Sequence, residues 1–147
     1  MIDIENAVFN RIATDLRNEY LTAYPDMRVY GEYVEFPEGF PCVSLWQTDN
    51  YTHLRTREIG DATERYVNVT FQTEIYTVGQ GKKALAKELA DFVDSDYAAM
   101  GYTRTAMMVL PNVDRNAFRI TLRHTALVER KMPLNGDEET LISLAYR

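Results

Sequence analysis

Alternation of apolar and polar positions is clearest in RNAFRITLRHTALVER, residues 115–130. Phe118, Ile120, Leu122, Ala126 and Val128 fall on one side, and Arg119, Thr121, Arg123, Thr125 and Glu129 on the other. A period of two over so long a run predicts a half-buried strand. RYVNVTFQTEIYT, residues 65–77, repeats the pattern. There Val67, Val69, Phe71 and Ile75 oppose Tyr66, Asn68, Thr70, Gln72, Glu74 and Tyr76. Residues 42–48 and 102–110 read as further strands, and Pro111-Asn112 turns the second of these back into the 115–130 strand as an antiparallel pair. Residues 28–34 look extended but are weakened by Gly31, and TLISLAYR near the end reads as a last strand folding back.

Helical spacing appears twice. Over residues 3–23, Ile4, Val8, Ile12, Leu16 and Tyr20 form a stripe that Phe9 and Ala13 widen. Asp3 is placed to cap it, Glu5 suits the positive end of the helix dipole, and Pro25 stops it. Over residues 82–100 the stripe is Leu85, Leu89, Phe92, Val93, Tyr97 and Met100, with Gly101 at the position where a left-handed residue closes a helix. FPEGFP (36–41) is turn punctuation. The polar stretch 49–64 has weak periodicity and reads as a long loop or a projecting hairpin. Helix, strands, helix, strands in that order predicts an α+β fold, with two helices packed on one face of a mainly antiparallel sheet. No repeat or linker divides residues 1–147, so one domain is expected, with residues 131–147 as a C-terminal strand or arm.

Charge sharpens this outline. The chain has 147 residues and a formal net charge of −6, which argues against a general nucleic-acid binder. The first forty residues are rich in acids: Asp3, Glu5, Asp15, Glu19, Asp26, Glu32, Glu35 and Glu38. Residues 113–131 lean basic through Arg115, Arg119, Arg123, Arg130 and Lys131. Such an imbalance arises by chance on a soluble surface, or in a protein that meets copies of itself head to tail. The lone cysteine, Cys42, excludes an internal disulfide and is most simply a small core residue. The acidic start MIDIENAVFNRI lacks the basic residues of a secretory signal, and no apolar run reaches membrane-spanning length. A soluble intracellular product is expected.

Clusters that would carry chemistry are sparse. His53 and His124 have no second histidine or cysteine at ligand spacing, so zinc is not expected. His124 lies on the apolar side of its strand and reads as a hydrogen-bonded core histidine. GQGKKA (79–84) fails as a phosphate loop: the first glycine of that pattern would fall at Tyr76, and no Ser or Thr follows the lysine. Asp91, Asp94 and Asp96 read as a solvated acidic helix face, with a weak cation site as the sharper alternative. No catalytic residue, cofactor or metal site is expected. The polar sides of the two long strands remain to be explained. An antiparallel sheet commonly shows one face to water, and Tyr, Asn, Gln and Arg also suit a subunit interface.

Three segments carry a resemblance. GEYVEFPEGFPCVSLWQTDN (31–50) leads from Gly-Glu-Tyr through Phe-Pro to a strand ending in Asp-Asn. VNVTFQTEIYT (67–77) runs into GKKALAKELADFVDSDYAAMGYTRT (81–105). PNVDRNAFRITLRHTALV (111–128) follows as a Pro-Asn turn and a strand. In order and spacing the chain resembles the tail terminator, or tail completion, proteins of long-tailed bacteriophages and prophages. The tail beyond Arg130 departs from the pattern.

The resemblance implies a virion protein without enzymatic activity, assembled in the host cytoplasm and located at the head–tail junction. It implies an α+β subunit of a homohexameric ring that caps the completed tail tube. The implied partners are further copies of the chain, the tail tube protein and the head–tail connector or stopper protein, with DNA passing through the lumen. Another junction component, a stopper or adaptor, is the near alternative, and a small metal-dependent enzyme using Asp91 and Asp94 the distant one. A ring needs two different, complementary surfaces on each subunit. Tyr66, Asn68, Gln72, Glu74, Arg119 and Arg123 are therefore candidates for a sheet face that meets a neighbour or lines the channel. The acid-rich N-terminal third is a candidate partner surface. Tyr51, His53, Leu54, Arg55 and Arg57, in the 49–64 stretch, are candidates to reach the tube end or the next subunit.

Overall fold

A computed structural model describes residues 2–52, 66–110, 116–131 and 139–144. Along the chain come α1 (Glu5–Tyr20), β1 (Arg28–Tyr30), β2 (Cys42–Thr52), β3 (Tyr66–Val78), α2 (Lys82–Ala99), β4 (Thr103–Leu110), β5 (Ala117–Lys131) and β6 (Glu139–Leu144). The fold is α+β. The strands form one sheet in the order β1-β2-β3-β5-β4, with β6 paired to β5 beyond that path. β1 runs parallel to β2, and every other pairing is antiparallel. β3 lies along one side of β5, while β4 and β6 share its other side.

Register explains the core. Val67, Val69, Phe71 and Ile75 of β3 stand opposite Val128, Ala126, His124 and Ile120 of β5, so both apolar rows face the same way. Val43 and Leu45 of β2 extend that surface. Val8, Ile12 and Leu16 of α1 and Ala86, Leu89 and Val93 of α2 close over it, all fully buried. Burial of this kind contributes on the order of 25 cal/mol per Å² of apolar surface and outweighs the local propensities. Tyr97 of α2 stacks on His124 with ring centres 4.2 Å apart, and meets Tyr102 at 5.4 Å. Its hydroxyl lies 3.2 Å from the Thr73 hydroxyl, which satisfies a polar group inside the core.

The helix ends differ in how well the sequence announces them. α2 closes as expected: Gly101 has φ 90°, its N–H reaches the Ala98 carbonyl at 3.0 Å, and the Tyr102 N–H reaches the Tyr97 carbonyl at 2.9 Å. At the start of α1 the capping position is Ile4, with no side-chain cap, and Asp3 instead accepts the Glu5 N–H at 3.2 Å. Residues 21–23 form a turn, so the helix stops short of the expected 23.

β2 is longer than the pattern suggests. Asp49, Asn50, Tyr51 and Thr52 continue the strand against Thr70, Asn68 and their neighbours, after a register shift between Gln47 and Asp49. That bulge breaks the alternation, and of the two readings of the 49–64 stretch the paired one, a projecting hairpin, holds for 49–52. The rest of that stretch, and the turn at Pro111-Asn112, lie outside the described residues. The last strand does fold back, with Thr140 opposite Arg130 and Leu144 opposite Val128.

Candidate interaction surface

One face of the sheet points away from both helices. Register places Tyr76 opposite Arg119, Glu74 opposite Thr121, and Gln72 opposite Arg123 on that face. Glu74 is the hub. It accepts the Tyr76 hydroxyl at 2.6 Å, the Arg119 guanidinium, the Thr121 hydroxyl at 3.4 Å and the Gln72 amide at 3.4 Å. Arg123 in turn donates to the Gln72 oxygen at 3.2 Å. Farther along, the Thr70 and Thr125 hydroxyls meet at 2.9 Å.

Burial divides the candidates. Glu74 is 1 % exposed and the Arg119 side chain 18 %, so this ion pair is internal to the chain. Glu74 therefore presents nothing to a neighbour directly, and Arg119 is held in place for it. Burial opposes the Arg119 charge, but the hydrogen bond and charge of Glu74 prevail and hold the guanidinium pKa above its ordinary value. Burial first, and then Glu74, push the Tyr76 hydroxyl up. Tyr66, Asn68 and Gln72 are half-buried, whereas Arg123 is exposed. Tyr51 stands opposite Asn68 on the same face and is 60 % exposed. His53, Leu54, Arg55 and Arg57 lie outside the described residues.

The helix side corrects one expectation. Asp91 is exposed, but Asp94 and Asp96 are not part of a solvated acidic face. Asp94 accepts the His124 Nε2–H at 2.7 Å and an Arg104 N–H at 3.2 Å, tying α2 to β5 and β4. Burial lowers the His124 pKa more than Asp94 restores it, which keeps the imidazole neutral at pH 7. Asp96 faces α1. Burial, then the nearby Asp15 carboxylate, push its pKa up to about 6 against the pull of Arg11, whose Nε is 3.5 Å away. Asp15, Asn18, Glu19, Phe92, Ser95 and Asp96 line an open recess of about 400 Å³ between the helices. Among the described residues no cluster of three or more His, Cys, Asp or Glu side chains is placed to hold a metal, and no helix is long and apolar enough to cross a membrane. Cys42 is fully buried, and that burial raises its thiol to about 12.

Both ends of the sheet carry exposed apolar residues that alternation does not mark out. On β4, Met107, Met108 and Val109 are each more than 40 % exposed. The cue was present: AMMVL is an apolar run without alternation, unlike the two long strands. At the opposite end, the segment 31–41 after β1 exposes Tyr33 and Phe36. Tyr33 meets Trp46 edge-on at 6.0 Å, and Glu32, Glu35 and Glu38 beside it are exposed.

No protein-family model and no curated protein matches this chain.

Proposed function

We propose that this chain is a subunit of a ring that caps a completed bacteriophage tail tube and joins the tail to the head connector. One observation carries the reading. The segments in which the chain resembles tail terminators are dispersed from residue 31 to residue 128, yet their described parts form adjacent strands β2, β3 and β5 with α2 packed across them. The resemblance thus follows the architecture of the subunit and not one local motif. A ring needs exposed, unlike surfaces on a rigid body. The sheet provides the rigid body, and its outer face and two ends provide the surfaces. Net charge −6 suits a lumen along which DNA must slide without sticking.

Little favours carboxylate chemistry on α2. Asp94 is already bound by His124 and Arg104, and Asp96 faces Arg11. The direct test adds purified protein to purified tail tubes and, separately, to purified connectors. Binding confined to tube ends, with arrest of further tube growth, is expected. Binding to the connector alone would assign the chain to the stopper or adaptor class instead.

A further inference from the structure

We propose that successive copies of this chain join end to end across the sheet, with the β4 edge of one copy seated on the 31–41 segment of the next. The proposal deepens the ring reading and rests on it.

Three observations converge. First, among the described strands, β4 pairs only with β5, so its outer edge offers unpaired backbone groups. Exposed apolar side chains flank that edge on both faces: Met108 shares the open face with Thr121, while Met107 and Val109 share the helix face with Leu122 and Ile120. Apolar residues on both sides of a free edge suit a contact that wraps it. The half of β2 that extends beyond β1 is, by contrast, guarded from within, because Glu5 accepts the Gln47 N–H at 2.8 Å and Asn50 donates to the Ile2 carbonyl at 2.7 Å.

Second, the exposed apolar residues Tyr33 and Phe36 follow β1, at the other end of the strand order from β4. Tyr33 leans inward from there over the open face, against Trp46 of β2, yet β3 and β5 still stand between β2 and β4. Unlike patches at opposite ends of a body are the geometry of a head-to-tail contact, and one that repeats with rotation closes into a ring.

Third, charge is complementary. Residues 31–41 expose Glu32, Glu35 and Glu38 and contain no cation. β4 contains no acid; its Arg104 is paired with Asp94 of the same chain, and the positive charge left beside it is the exposed Arg123, which stands opposite Ala106. An Arg and Met surface facing an aromatic and Glu surface has the composition of an interface core with a charged rim.

The test uses charge exchange in the full chain. Arg123→Glu alone, and Glu35→Lys with Glu38→Lys, should each raise the concentration of half-assembly by about tenfold or more. Combining all three should restore assembly toward that of the parent. A second measurement fixes direction. Met108→Cys and Phe36→Cys chains, distinguished by a tag, are mixed and treated with a short bis-maleimide, with the buried Cys42 as the internal control. Mixed dimers should form well ahead of either like pair, and the chain carrying both changes should give a ladder. Met108→Cys pairs forming as fast as mixed ones would overturn the proposal in favour of a two-fold β4 contact. A closed ring that forms without mixed cross-links or charge rescue would overturn this assignment and leave the ring reading standing. No oligomer at any concentration, with or without tail tubes, would overturn both.

Discussion

Glu74 and Arg119 lie on adjacent strands and form an ion pair on the sheet face turned away from both helices. The pair explains one of the two arginines held in register on β5. Arg119 neutralises a buried carboxylate, while Arg123, two pleats along the same face beyond Thr121, is exposed. The two arginines therefore answer to different tests. Arg119→Ala leaves the Glu74 charge buried without its partner and should destabilise the chain by about 3 kcal/mol or more. Replacing both members by apolar residues of similar size, Glu74→Leu with Arg119→Met, should cost less than the single change. Arg123→Glu should shift stability by no more than about 0.5 kcal/mol. Urea unfolding of the variants compares these costs; a neutral Arg119→Ala would refute the internal role.

His124 sets an acid limit on stability. Burial lowers its pKa in the folded chain below the ordinary 6.5. The unfolded chain thus takes up a proton more readily than the folded one, so the neutral histidine's contribution is present above pH 6.5 and is lost as pH falls through the folded value. His124→Phe keeps an aromatic ring against Tyr97 and removes the titration. It should lose about 1–3 kcal/mol at pH 7.5 through the missing hydrogen bond to Asp94. Its stability should then fall less steeply than the parent's between pH 6.5 and 5, measured by urea unfolding at several pH values. Parallel curves would contradict the assignment.

Asp96 acts in the opposite sense. Its pKa rises from 3.8 to about 6, first through burial and then through Asp15. The folded chain binds this proton more tightly, so the contribution is fully present below pH 3.8 and is lost as pH rises through 6. Asp96→Asn mimics the protonated carboxyl. Its melting temperature should exceed the parent's at pH 8, and the gap should close near pH 4. A variant that melts lower at pH 8 would show that the Arg11 contact outweighs burial.

Gly39 is a steric requirement of the 31–41 segment. A Cβ there would lie 2.2 Å from the Asp26 carbonyl oxygen and 3.2 Å from Cγ of Arg28. Because the first of these is backbone, relief requires the segment to move. Gly39→Ala should cost about 1–3 kcal/mol, as overpacking generally does. It should also weaken assembly, since displacement carries Tyr33 and Phe36 with it. Unchanged melting would mean that the segment shifts freely.

What the sequence made legible follows from regularity. Strict alternation in β3 and β5 gave their inward rows correctly, because each faces helices on one side only. The α2 closure at Gly101 was legible because only a residue free to adopt φ 90° ends a helix that way. Burial of His124 was readable from its place in the apolar row, but its Asp94 partner was not, since the two meet only after α2 folds onto β5. The same holds for Glu74 and Arg119: alternation put them on one face, and only register showed that they neutralise each other. The continuation of β2 was hidden by its bulge, and the apolar β4 edge by the absence of any pattern that distinguishes a free edge from a buried strand.

A chain that caps tail tubes in this way assembles into a closed ring. Native mass spectrometry over a concentration series, with tail tubes added where free chains remain monomeric and electron-microscope class averages of the same samples, tests it most directly. A single closed species of six copies with rotational symmetry is the expected result. A stable dimer with two-fold symmetry, unchanged by concentration or by tubes, would contradict it.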